Sequence, residues 1–182
     1  MIADWSPEFG APTSGGSLTI AIYLVACLAS LYAVLRDKPE NAAAWLGIFI
    51  QVGLLTINKY FDVQTWFADI MREKAHISGW YDSRRVFQHI FFISCVIMFL
   101  LITFWILPLI NRRGYALSIA MLSTFFLTIF VCVRAVSLHS IDSFLGSPVM
   151  GVSMNDVFER CGIAVTAISA LVVRQSAFPG KR

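Results

Sequence analysis

Long uncharged stretches constrain this chain more than any motif in it. Leu18 to Leu35, Val86 to Ile110 and Tyr115 to Val133 contain no Asp, Glu, Lys or Arg. Each matches the roughly 20 mostly apolar residues that a helix needs to cross a bilayer. Of the 182 residues, 58% are hydrophobic and 14% charged, against roughly 25% charged in a soluble domain. Such a balance excludes an ordinary soluble fold and a disordered chain, and leaves no room for a separate soluble catalytic domain.

Two further segments reach spanning length only with polar ends. Ala42 to Ile57 is apolar apart from Gln51 and Thr56, and spans if it runs on through Asn58, Lys59 and Tyr60. Cys161 to Val173 is too short alone and spans if it starts near Asn155, taking Asp156, Glu159 and Arg160 into its first turns. The expected fold class is therefore all-α membrane, a five-helix transmembrane bundle with spans at about 18–35, 42–60, 86–110, 115–138 and 155–174. Four spans plus an interfacial helix is the alternative. The bundle, 18–174, forms one domain between a flexible N-terminal tail, 1–17, and a C-terminal tail, 175–182. The N-terminal tail is rich in Gly, Pro and Ser and lacks the cationic start of a secretory signal, so it reads as uncleaved. RDKPEN closes the first span with cations and a proline, and Pro108 with NRRG makes a tight hairpin of the third and fourth.

Between the second and third spans, Val63, Trp66, Phe67, Ile70, Met71 and Ile77 recur at helical spacing, opposite Asp62, Asp69, Arg72, Glu73 and His76. This stretch, about 62–77, is too polar to span and predicts an amphipathic helix flat on the membrane surface, ended by Gly79 and anchored by Trp80 and Tyr81. Arg36 and Lys38, Arg112 and Arg113, and Arg174, Lys181 and Arg182 fall on one side of a five-span bundle. By the positive-inside rule the N terminus is outside and the C terminus cytoplasmic, although the second loop then places Lys59, Arg72, Lys74, Arg84 and Arg85, mixed with acids, outside.

A net charge of +3, from 14 Lys+Arg and 11 Asp+Glu, is too weak and dispersed for a nucleic-acid partner. The cysteines, Cys27, Cys95, Cys132 and Cys161, lie in apolar runs without a CxxC pair. They read as small packing residues and fix no redox compartment.

The polar residues that touch spans gather at one membrane face. Alternating helices put the end of span 2, the start of span 3, the end of span 4 and the start of span 5 on the same side. Those ends carry Asn58 and Lys59; Arg84, Arg85, Gln88 and His89; Arg134, Ser137, His139 and Asp142; and Asn155, Asp156, Glu159 and Arg160. Ionisable groups inside a membrane pair within the bundle or snorkel to headgroups. Asn155 and Glu159 share a helix face, and an Arg134–Glu159 pair between spans 4 and 5 is the expected contact. The cluster reads either as ion-pair packing or as a binding site for a headgroup, quinone or haem propionate.

His76 reads as solvated, whereas His89 and His139 could join Asp142 or Glu159 around a metal. No close ligand spacing such as HExxH occurs, so no metal and no cofactor is assigned. VSLHSID offers Ser, His and Asp as sequence neighbours, which mostly point apart on a helix, so no catalytic residue is assigned either. GSPVMG lacks the Lys and spacing of a phosphate loop. The paired phenylalanines at 91–92 and 125–126 read as packing or lipid contact. Small residues, Ala21, Ala26 and Ala29 in span 1 and Gly162, Ala164, Ala167 and Ala170 in span 5, permit close helix approach.

NKYFDVQ (58–64), GWYDSRR (79–85), RAVSLHSID (134–142) and NDVFERCGI (155–163) resemble the polar signatures of a family of small uncharacterised bacterial inner-membrane proteins. The resemblance implies a bacterial inner-membrane location and no particular activity. The family's span 4 signature is richer in His than SLHSID.

From small size, no room for a soluble domain, no recognisable catalytic constellation and a surface helix suited to docking, the expected role is a non-enzymatic accessory or assembly subunit of a larger membrane complex, bioenergetic assemblies included. Its partners would be membrane lipids and protein subunits. The alternative is a membrane-embedded binding protein or enzyme for an amphiphile (lipid, quinone or haem) held at the polar end. A transporter ranks third, because five spans offer no inverted repeat.

Overall fold

The structure, a computed structural model, describes residues 14–61, 63, 70, 74, 77, 84–108, 112–136, 148–149 and 152–173. Five long helices follow one another among the described residues: α1 Ser14–Arg36, α2 Ala42–Phe61, α3 Arg84–Ile106, α4 Tyr115–Val136 and α5 Met154–Leu171. Pro39–Asn41 adds a 3-10 turn before α2. Just ahead of α5, Pro148–Val149 and Val152–Ser153 pair as a minimal antiparallel ribbon.

Four helices, over Gly16–Arg36, Pro39–Phe61, Gln88–Ile106 and Tyr115–Arg134, are long and apolar enough to cross a membrane. The chain is thus an all-helical, multi-pass membrane protein. With 18 residues, α5 measures about 27 Å along its axis, and it carries Asp156, Glu159 and Arg160 in its first half. Of the expected surface helix, only Val63, Ile70, Lys74 and Ile77 are described, each in helical conformation, and the rest of 62–77 lies outside the described residues.

Helix ends differ from the sequence reading for physical reasons. α1 starts at Ser14, so Ser14 to Ser17 leave the expected tail for the helix; a span that must satisfy its own backbone runs past its last apolar residue. α3 stops at Ile106 rather than residue 110, because Pro108 lacks an N–H and its ring bars the helix from continuing. Gly114, with φ +95°, makes the left-handed turn into α4 that a side chain would strain.

Packing is inside-out relative to a soluble bundle. On α1 the buried stripe is Thr19, Tyr23, Ala26, Ser30 and Ala33, while Leu24, Leu28 and Leu35 face outward. Lipid tails are as apolar as leucine, so helices associate through small side chains and hydrogen bonds. α1 packs against α2 and α5, α4 against α5, α3 and α2. Between α2 and α4, Gln51 Nε2 donates to Thr128 Oγ1 at 2.7 Å. α4 and α5 approach at Gly162, whose carbonyl accepts from Ser123 Oγ at 2.6 Å. Phe99, Phe126, Phe130 and Phe158 form a ladder of rings from α3 through α4 to α5, with centroids 6.0 to 6.2 Å apart. Phe126 therefore packs inside, whereas Phe91 is exposed. Ala26, Ala29, Ala167 and Ala170 are buried, but Ala21 faces outward. All four cysteines are free thiols; Cys132 and Cys161 are exposed, Cys95 is buried and Cys27 lies between.

At the end opposite the polar face, Asp37 ties the two short loops together. Its carboxylate accepts from Trp45 Nε1 at 2.6 Å, Asn41 Nδ2 at 3.0 Å and the Lys38 backbone N–H at 2.7 Å. Asn41 also donates to the Arg113 carbonyl at 3.2 Å, and Arg113 returns a bond to the Glu40 carbonyl at 3.0 Å. Trp45 and Asn41 are fully buried, so removing their acceptor leaves donors without partners. Asp37→Ala is expected to destabilise the protein by about 1–3 kcal/mol, and Asp37→Asn by less, read as thermal unfolding in detergent. Equal stability of wild type and Asp37→Ala would show that this carboxylate ties nothing.

Candidate functional site

The polar end is built from four helices. Alternation brings the first turns of α1 and α5 beside the last turns of α2 and α4, and the side-chain contacts follow. Glu159, buried at the start of α5, accepts from the Tyr23 hydroxyl of α1 at 3.0 Å and from Lys59 Nζ of α2 at 2.7 Å. Lys59 also faces Asp156 at 3.7 Å. Asp156 in turn lies 3.9 Å from Arg160, one turn along α5, and Arg160 Nε donates to Thr19 Oγ1 at 2.9 Å. Ser153 caps α5 by accepting the Asp156 backbone N–H at 3.2 Å, and the acidic side chain of Asp156 suits the positive end of the helix dipole.

Glu159 is paired with Lys59 and Tyr23, not with Arg134 as the sequence suggested. The antiparallel register of α4 and α5 gives the reason. Ser123 bonds to Gly162, Leu127 lies against Gly162 and Phe130 meets Phe158. One turn further along, Arg134 comes level with Met154 and Asn155, about 6 Å of helix rise beyond Glu159. Lys59 has instead a flexible stem that carries its ammonium to the carboxylate beside α1.

Of the other residues singled out in the sequence, Asn58 is half-buried, and Gln88 of α3 donates to the Val136 carbonyl at 2.9 Å, next to the Arg134 turn. His89 sits exposed on α3. The side chains of Arg84 and Arg85, and Ser137, His139 and Asp142 entirely, lie outside the described residues. Among the described residues no group of three His, Cys, Asp or Glu is placed to hold a metal.

Sequence reasoning missed Tyr23 and Thr19. Their signal lies in the spacing of the polar and small residues of α1: Thr19, Tyr23, Ala26, Ser30 and Ala33 recur at helical period, leaving the leucines on the other faces.

The cluster balances two carboxylates, Asp156 and Glu159, with two cations, Lys59 and Arg160. Arg134 is half-buried, and among the described residues it forms no hydrogen bond or ion pair. Asn155 Oδ1 is buried without a hydrogen-bond partner.

These features define a multi-pass helical membrane protein with an ion-pair cluster at one end of the bundle. No family model, no curated protein and no solved structure matches the chain.

Proposed function

We propose that this chain is a non-enzymatic subunit of a larger membrane assembly, with α5 as a fifth span. At about 27 Å, α5 comes close to the roughly 30 Å hydrocarbon thickness, and it is packed along α1 and α4, both of spanning length. Positive-inside bias puts the Asp37 and Arg113 loops in the cytoplasm and the N terminus outside, so the ion-pair cluster lies toward the outer leaflet. The likeness of its polar signatures to small bacterial inner-membrane proteins favours that membrane for the assembly.

One observation carries the reading. Among the described residues α3 has its main helix contact with α4, and 11% of its apolar window is buried, against 28–33% in the other long helices. Helix association in lipid depends on packing seams, and a span held by a single seam leaves both flanks open to helices of another chain.

A photo-crosslinking residue at Leu100 or Leu101, on the exposed surface of α3, is expected to give one discrete adduct with a second protein in native membranes. The same probe at Leu28, on the outer face of α1, gives none. Native mass spectrometry then shows that protein at fixed stoichiometry. A lone, monodisperse chain of intact stability and no discrete adduct from α3 would overturn the reading.

A further inference from the structure

We propose that Arg134 and Asn155 form a two-point site for one anionic phospholipid, whose headgroup pairs a phosphodiester with a free hydroxyl. The site does not depend on the assembly reading, since α3's open flanks take no part in it.

Charge defines the first point. Lys59 and Arg160 pair with Asp156 and Glu159, whereas the half-buried Arg134 forms no hydrogen bond or ion pair among the described residues. Its guanidinium offers several N–H donors in a plane that suits two oxygens of a phosphate. Arg134 stands about 28 Å along α4 from Tyr115, near the edge of the hydrocarbon where lipid phosphates lie.

The second point is an acceptor. The register of α4 against α5 sets Arg134 level with Asn155, whose buried Oδ1 has no donor. A buried amide oxygen without a partner costs about 1–3 kcal/mol. A ligand that satisfies both points brings an anionic oxygen for Arg134 and an O–H for Asn155. A glycerol phosphodiester meets both conditions, whereas a choline headgroup has no O–H to give Asn155.

The protein is reconstituted in nanodiscs of equimolar phosphatidylglycerol and phosphatidylcholine, then released for native mass spectrometry. Wild type is expected to retain one phosphatidylglycerol with a preference of about tenfold or more. Arg134→Gln loses that preference. Arg134→Lys keeps the preference in weakened form and serves if the Gln variant does not fold. Against phosphatidylmethanol, which has the same charge and no hydroxyl, wild type favours phosphatidylglycerol and Asn155→Ala shows no choice. Equal retention in Arg134→Gln would overturn the site and identify the lipid as annular. Displacement of the lipid by millimolar glycerol 3-phosphate would assign the site to a free anion and overturn the lipid assignment.

Discussion

Lys59→Met is expected to destabilise the protein by about 3–5 kcal/mol, more than any other single change in the polar cluster. Without Lys59 the Glu159 carboxylate, with a side chain only 4% exposed, keeps Tyr23 as its sole partner. Glu159→Gln is milder, about 1–2 kcal/mol. It leaves Lys59 facing Asp156, and the lysine, at the last turn of α2, can extend toward the headgroups. The double variant Lys59→Met/Glu159→Gln is therefore more stable than Lys59→Met alone, although it carries one more substitution. Unfolding in mixed micelles, followed by tryptophan fluorescence, ranks the three. If Lys59→Met unfolds like wild type, or if the double variant is the least stable, the pair does not hold α2 to the rest of the bundle.

Gly162→Val is the second large effect expected, a loss of about 1–3 kcal/mol from overpacking. Even a methyl group at Gly162 would stand 2.7 Å from Leu127 Cδ2 and 3.0 Å from Leu127 Cγ. Leu127 is fully buried, packed among core side chains. α4 must then back away from α5, which also stretches the 2.6 Å bond from Ser123 to the Gly162 carbonyl. Leu127→Ala alone leaves a cavity costing about 2–5 kcal/mol, part of which Gly162→Ala refills. The pair is thus less damaging than the sum of its members, a coupling that a double-mutant cycle reads directly. Gly47→Ala is the control, because nothing lies within 4 Å of the added methyl there. Additive effects at 127 and 162 would mean that the two helices do not touch at this point.

Four of the five expected spans were legible because lipid demands length and apolarity, and both are one-dimensional properties of a sequence. The gathering of polar residues at one end followed from alternation alone, and Lys59, Asp156, Glu159 and Arg160 do meet there. Which cation takes Glu159 was not legible. Spacing along one helix says which residues share a face, whereas pairing between helices depends on their register, and here a difference of one turn sets Arg134 apart from the carboxylate. Tyr23 was overlooked because a tyrosine in an apolar run reads as bulk until the small residues around it are seen as a stripe. Asp37 and Trp45, eight residues apart across a loop, were hidden by the turn that folds one back on the other.

The contact between α1 and α5 joins the first and last of the described helices, with Tyr23 and Glu159 separated by 136 positions. During synthesis, Tyr23 and Lys59 enter the bilayer long before the ribosome has made their acid. Until the final segment emerges, an ammonium and a phenol wait in the membrane without it. A product that stops short of α5 never acquires that acid, so its lysine and tyrosine stay unmatched.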